Sequence, residues 1–191
     1  MKRLLVTLIL AVIFTGNTHT FAQDLSPERK QAVDSLALEK VRDLSKYIKL
    51  VGSKDTPWSE ANRVIERAEE LFAPDAEIGV SSLSSNEVMY YKVRQYLERL
   101  MRLNYDRVEI DWYKIEYVSD LQRQPDGTYV GVITVFQTFK GYDKEGRLVY
   151  QDTTKKDITV YVKRKETQIG GRTIGFWDVL LGDMRVKETA R

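Results

Sequence analysis

The chain has 191 residues, with 30 Lys and Arg against 28 Asp and Glu, one histidine and no cysteine. This near balance of charge provides no general field for gathering phosphates, which argues against nucleic acid as a partner. Without cysteine, disulfides, Cys–His nucleophile pairs and thiolate zinc sites are all excluded.

Residues 1–22 have the three parts of a secretory signal. Two basic residues precede an apolar run at 4–14, and Ala22 is the small residue that ends the segment before a cleavage site. The alternative is an uncleaved anchor, but the run is short against the ~20 apolar residues of a spanning helix. We therefore expect export to the periplasm or outside the cell, with residues 23–191 left as one domain that keeps no membrane span.

Cleavage at this site would also change the chemistry open to the protein. The only histidine, His19, would leave with the leader, so the mature domain would have no Ser-His-Asp triad. Both basic residues of the leader would leave too, and the remaining basic and acidic residues would balance. No motif for a phosphate, calcium or other cofactor site occurs, so we expect neither a cofactor nor a metal.

Two amphipathic helices are predicted first. Ser26 is a capping residue and Pro27 fits the first turn of a helix whose apolar stripe ends at Gly52. A second helix is predicted from Pro57 to Pro74, with its apolar residues again on one side.

A short strand and a third helix are predicted next. Alternating small and apolar residues at 77–83 favour a brief strand. Ser84 and Glu87 have the spacing of a capping box, which predicts a helix from there to about Leu103. Tyr91 would then lie in the first turns of that helix, at the mouth of any cavity beneath it, or would be an ordinary half-buried aromatic.

Long strands follow. Residues rich in Val, Ile, Tyr and Trp, separated by turns at 125–127, 143–146 and 170–171, predict four strands, at 107–121, 128–139, 148–162 and 173–186. The polar middle of the third strand, residues 151–157, indicates a bulge or bend. Strands of this length imply a twisted, curled sheet.

The element order predicts an α+β domain in which three N-terminal helices pack on a strongly curved, four- to six-stranded antiparallel sheet, cone-shaped and cystatin-like. The helices must cover the concave face of the sheet. The sequence leaves open whether a pocket remains between them.

This order of elements resembles the nuclear transport factor 2-like superfamily, which includes ketosteroid isomerases, scytalone dehydratase, polyketide cyclases and many non-catalytic modules. The segments KYIKLV at 46–51 and LFAPDAEI at 71–78 are similar to ketosteroid isomerases. The resemblance implies a cone fold and pairing of two copies through the sheet.

Catalytic roles carry over from this resemblance only in part. Tyr47 falls where the isomerases keep an oxyanion-binding tyrosine, and Asp157 is a candidate for their second donor. The position of the proton-transferring carboxylate is occupied by Val80, which accepts no proton. The isomerase reaction therefore does not transfer, and no catalytic residue is assigned.

The remaining candidates for binding are aromatic and acidic residues. Tyr47 either points into a cavity or packs beside the apolar stripe of the first helix, with its hydroxyl in solvent. Alternation places half of the sheet aromatics toward the helices and half outward, where they would either cover a partner or pair across strands. Asp178 lies in an apolar run, either as a pocket acid or as an ion-pair partner. The sheet aromatics considered for binding are Trp112, Tyr113, Phe136 and Trp177.

These features favour a non-catalytic exported module of the cell envelope. It would hold a small apolar ligand in the cone, or a protein, a peptide or a second copy on the sheet face. The alternative is a cofactor-free lyase or isomerase that uses carboxylate and tyrosine groups, with Tyr47, Asp157 and Asp178 as candidates.

Overall fold

The computed structural model describes residues 25–190 apart from 84 and 118, so the predicted leader lies outside the described residues. The helices are α1 (Pro27–Gly52), α2 (Trp58–Glu69) and α3 (Val93–Met101). The strands are β1 (Glu77–Ser82), β2 (Ser85–Lys92), β3 (Arg107–Tyr117), β4 (Gln122–Arg123), β5 (Tyr129–Tyr142), β6 (Leu148–Ile169) and β7 (Arg172–Ala190).

The strands form one sheet in the order β2-β1-β7-β6-β5-β3, with β4 paired to β5. The α+β class, with three helices on a curved sheet, is confirmed. The sheet has seven strands rather than the expected four to six, and β1 pairs with β7 in parallel. The parallel pairing follows from the path of the chain, because the segment after α2 runs along β7, where Ala73 N donates to Leu181 O and Leu181 N donates to Leu71 O.

The first two helices form as the apolar spacing predicts. The Ser26 hydroxyl accepts a hydrogen bond from Arg29 N, and Pro27 occupies the first turn of α1. The buried side of α1 is made by residues at spacings of three and four, and α2 repeats this pattern. The buried residues of α1 include Val33, Ala37, Val41, Leu44, Ile48 and Val51, and those of α2 are Ala61, Val64, Ile65 and Ala68.

The predicted start of the third helix is wrong. The chain from Ser85 to Lys92 is strand β2, and α3 begins only at Val93. In β2, Met89 pairs with Val80 and Tyr91 pairs with Ile78 across an antiparallel ladder. These backbone hydrogen bonds to β1 outweigh the capping-box signal, which is a local preference worth only about 1 kcal/mol.

The long strands and their turns are confirmed. Gly127 has a φ of 80° at the tip of the first turn, and the Asp126 carboxylate accepts hydrogen bonds from Thr128 N and Oγ1. The bend expected in the polar middle of the third long strand corresponds to the first of two register shifts between β6 and β7. One shift lies between Lys155 and Lys156, and the other lies between Ile158 and Val160.

The main core lies between α1, α2 and the inward face of the sheet. Its largest fully buried side chains are Leu44, Ile48, Ile65, Ile78, Leu97, Ile133, Ile158, Leu181 and Met184. These residues fill the space between the helices and the sheet, apart from an opening that lies beneath α3. Of the helices in the described part of the chain, none has both the length and the apolar character needed to cross a bilayer.

Candidate functional site: a polar-floored pocket beneath helix α3

A cavity of about 340 Å³ opens between α3, the end of β1 and the inward face of β5 and β6. Most of its wall is apolar or aromatic, and three of its seven polar residues come from one strand, β6. The apolar and aromatic lining consists of Val80, Tyr96, Leu100, Leu103, Tyr105, Ile110, Phe139 and Tyr150. The polar lining consists of Ser81, Ser82, Arg99, Gln137, Asp152, Thr154 and Lys156.

The alternation of β6 explains why polar side chains face the cavity. Even-numbered residues from 152 to 162 point inward and are buried. At 158, 160 and 162 these residues are Ile, Val and Val, and they belong to the core. At 152, 154 and 156 they are Asp, Thr and Lys, with only 3 to 5 % of each residue exposed. The same strand therefore supplies core at one end and the floor of the pocket at the other.

A tyrosine and a carboxylate are hydrogen-bonded at one side of this floor. The Tyr150 hydroxyl donates to Asp152 Oδ2 at 2.7 Å and accepts from Leu83 N at 3.2 Å. Burial, together with the neighbouring carboxylate, raises the pKa of Tyr150 to about 12. Burial also raises the pKa of Asp152, against the opposing effects of the Tyr150 hydrogen bond and the Lys156 charge.

Lys156 is the second charged group of the floor. Its Nζ lies 5.7 Å from the centroid of the Tyr96 ring. Burial lowers the pKa of this amine to about 8, although the charge of Asp152 works in the other direction. Within the described part of the chain, no hydrogen bond or ion pair is made by Lys156 Nζ. A buried amine without an anionic partner is costly, and groups of this kind concentrate at functional sites.

Helix α3 provides the opposite wall and the rim. Tyr96 is buried on its inward side, and burial raises the pKa of this phenol. Arg99 lies at the exposed rim, with its guanidinium 4.5 Å from the centroid of the Tyr91 ring on β2. Tyr105 packs edge-on against Phe139, with 5.8 Å between the ring centroids. The pocket thus has aromatic walls, one buried cation and a second cation at its entrance.

Four of the candidates predicted from sequence lie on or near the inward side, and none of them lines the cavity. Trp112 Nε1 donates to Gln137 Oε1 at 3.0 Å, which places the indole behind a pocket residue. Tyr91 contacts the pocket through Arg99. Trp177 packs against the core and edge-on against Tyr129. Tyr47 packs half-buried against the core, as in the packing interpretation of this residue.

The other four candidates lie on the outward face of the sheet. Tyr113 is 58 % exposed, and its ring centroid is 6.0 Å from that of Phe136. Asp157 accepts a hydrogen bond from Thr134 Oγ1 at 2.6 Å and lies 3.4 Å from Lys187 Nζ. Asp178 pairs with Lys165 Nζ at 2.5 Å, which is the ion-pair alternative considered for this residue.

Sequence reasoning missed Asp152, Thr154 and Lys156. Their signal was present, because three polar residues alternate in phase with the inward apolar residues 158, 160 and 162 of the same strand. A polar stretch in phase with a buried face indicates a pocket at least as well as it indicates a bend. In the described residues, no group of three or more acidic or histidine side chains is arranged to hold a metal ion.

Comparison with known proteins finds a likeness of fold. No family model matches the chain, and no curated protein matches it in sequence. Among solved structures, a protein from Novosphingobium aromaticivorans DSM 12444 described as a proposed scytalone dehydratase is similar. The two sequences are 14 % identical, and the superposition covers 85 % of this chain and 90 % of that protein's chain, with a TM-score of 0.41. No functional conclusion follows from a likeness of this size.

Proposed function

We propose that the protein binds a small, largely apolar molecule in the pocket beneath α3. The observation that carries this proposal is the cavity of about 340 Å³, whose aromatic and aliphatic walls converge on a polar floor. Small-molecule sites have this composition, and their volumes run from roughly 300 to 1,000 Å³. The cavity lies near the lower end of that range, so the ligand is small.

The proposal places this binding outside the cytoplasm, in a domain that begins at residue 23 after the leader is removed. It is supported by the basic start, apolar run and small residue of the first 22 residues. The cone fold supports a place in the nuclear transport factor 2-like superfamily, whose members include binding modules. Amino-terminal sequencing of protein purified from its native envelope tests the leader directly, and a mature chain that still begins at Met1 would contradict it.

The binding proposal is tested by native mass spectrometry of the gently purified protein, wild type beside two variants. Thr154→Phe places a ring in the cavity, because Thr154 is a buried lining residue. Thr153→Phe adds the same ring to the neighbouring residue on the outward face and is the matched control. We expect a bound small molecule on the wild type and on Thr153→Phe, but not on Thr154→Phe. A ligand retained by all three proteins, or by none, would refute the proposal.

A cofactor-free lyase or isomerase is the second candidate, and one observation favours it. A buried carboxylate, Asp152, accepts a hydrogen bond from the Tyr150 hydroxyl inside the pocket. Such a pair would transfer a proton to or from a bound carbonyl compound, with the tyrosine polarising an oxygen. The discriminating measurement is the mass of the recovered ligand after incubation with wild type and with Asp152→Asn. A change of mass or isomer that only the wild type produces would select the enzyme.

A protein, a peptide or a second copy on the sheet face stays a separate prediction. The place to test it is the outward pair of Tyr113 and Phe136, since the rest of that face carries ion pairs such as Asp157 with Lys187. The Phe136 ring centroid lies 5.3 Å from Lys114 Nζ and 5.8 Å from Lys155 Nζ, so the aromatic patch is small and flanked by cations.

A further inference from the structure

The charges that face the pocket specify more about the ligand than its apolar walls do. The titratable side chains of the lining are Tyr96, Arg99, Tyr105, Tyr150, Asp152 and Lys156. The lining residues from β1, β3 and β5 carry no titratable group. With the tyrosines neutral, the pocket therefore presents two cations and one carboxylate.

The single carboxylate does not neutralise the buried cation. Asp152 receives its hydrogen bond from Tyr150, and no ion pair joins it to Lys156 among the described side chains. Asp152 and Lys156 are four residues apart on one extended strand, which separates their backbones by roughly 13 Å. Lys156 is only 3 % exposed as a residue, and its side chain lines the pocket. The floor of the pocket consequently holds a cation that no described side chain pairs with.

We propose that the ligand is a monocarboxylate with an apolar body, and that its carboxylate group binds Lys156 Nζ while its body lies against the aromatic wall. This inference rests on the proposed function and names the class of ligand. A charge-assisted hydrogen bond between ammonium and carboxylate is roughly twice as strong as a neutral one. A neutral apolar ligand would cover Lys156 and leave it unpaired, which is the more costly arrangement.

The charge balance favours one negative charge over two. A monoanion balances the one charge of Lys156, whereas a dianion such as a phosphate monoester would add a second negative charge to a site that already contains Asp152. The volume fits the same class. Taking about 30 Å³ for each water-sized group, the cavity accommodates roughly ten non-hydrogen atoms, the size of a medium-chain or phenylalkyl acid.

The inference predicts a pH dependence of binding. The carboxylate binds the charged form of Lys156, whose pKa in the free protein is about 8. Affinity should therefore change little around neutral pH and fall as the pH rises above that value, by up to about tenfold per pH unit. Asp152 acts in the same direction, since protonation of its carboxyl at lower pH removes the negative charge nearest the ligand.

The test compares acids with their amides, which have the same shape and no charge. Isothermal titration calorimetry at pH 7 would measure phenylpropionate against phenylpropionamide and octanoate against octanamide. The variants are Lys156→Met, which removes the charge, and Lys156→Arg, which keeps it. Lys155→Met removes the neighbouring charge on the outward face and is the control. We expect wild type, Lys155→Met and Lys156→Arg to bind at least one acid more than tenfold more tightly than its amide, and Lys156→Met to lose that preference.

Failure of this inference is distinct from failure of the proposed function. Acid and amide bound equally well by the wild type, with both lost in Thr154→Phe, would leave the pocket as a binding site and overturn the carboxylate. A preference for the acid that survives in Lys156→Met would also overturn it, because another cation would then be the anchor. If neither acids nor amides bind, the carboxylate inference is overturned, and the native mass spectra of wild type and Thr154→Phe decide the proposed function separately.

Discussion

Lys156→Met should stabilise the folded protein, and the gain should disappear as the pH rises. In the folded state the pKa of Lys156 is lowered from 10.5 to about 8, because burial disfavours its charged form. Methionine has a similar length and no charge to desolvate. Replacing an unpaired buried charge with an apolar side chain removes a cost that the wild type carries at neutral pH.

The size of the effect follows from the shift in pKa. The difference between 10.5 and about 8 corresponds to about 3 kcal/mol, at about 1.4 kcal/mol for each unit. The unfolded chain keeps the lysine proton up to about pH 10.5, whereas the folded protein releases it near pH 8. The unfolded state therefore binds more protons in this window, so wild-type stability rises with pH through it. The full cost of about 3 kcal/mol applies only below pH 8.

Urea unfolding from pH 6 to pH 9.5 measures this effect. The stability difference between Lys156→Met and wild type should shrink by about 2 kcal/mol over that range. Lys155→Met is the control, since Lys155 is half-exposed and pairs loosely with Glu188 at 3.6 Å. Its difference from wild type should stay within about 0.5 kcal/mol at every pH. A difference for Lys156→Met that does not change with pH would refute the unpaired buried amine.

Two further predictions concern the hydrogen bond of the floor and the outward face of the sheet. Tyr150→Phe removes the hydroxyl that donates to Asp152, so it should cost about 1 to 3 kcal/mol in urea unfolding at pH 7; an unchanged midpoint would show that the hydrogen bond contributes nothing. Phe136→Ser should weaken any dimer formed through the sheet, as measured by sedimentation velocity. It should leave ligand binding unchanged, because Phe136 faces away from the pocket. Weaker ligand binding in this variant would contradict the placement of the pocket and the aromatic pair on opposite faces of the sheet.

Most of the fold follows from periodicity, because the elements that sequence analysis found are those whose burial is one-sided. The stripe of α1 places its apolar residues on a single face, and the alternation of β5 separates an inward, buried face from an outward face; both form as predicted. The start of α3 did not follow from sequence. The segment at 85–92 has both a capping signal and residues suited to a strand. Only its pairing with β1, the preceding strand, decides between the two.

The site was less predictable than the fold, for a related reason. Aromatic and acidic residues such as Tyr113 and Asp178 attract attention in a sequence, yet strand parity places both on the outward face. Asp152 and Lys156 are inconspicuous in a polar run. Their importance depends on whether the even-numbered or the odd-numbered residues of β6 face α3. The buried apolar residues at 158, 160 and 162 already indicate that the even-numbered ones do. Cavity volume is different, since it depends on how the side chains of α3 and β5 pack.

The measurement that tests the account most directly is a titration of isotopically labelled protein with phenylpropionate, followed through its backbone amide signals by NMR. Signals from residues 152–156 of β6 and from α3 should shift together and saturate, and the same titration of Lys156→Met should produce far smaller shifts. Shifts confined to the outward face around Tyr113 and Phe136, with the signals of β6 and α3 unmoved, would contradict the pocket as the site of binding.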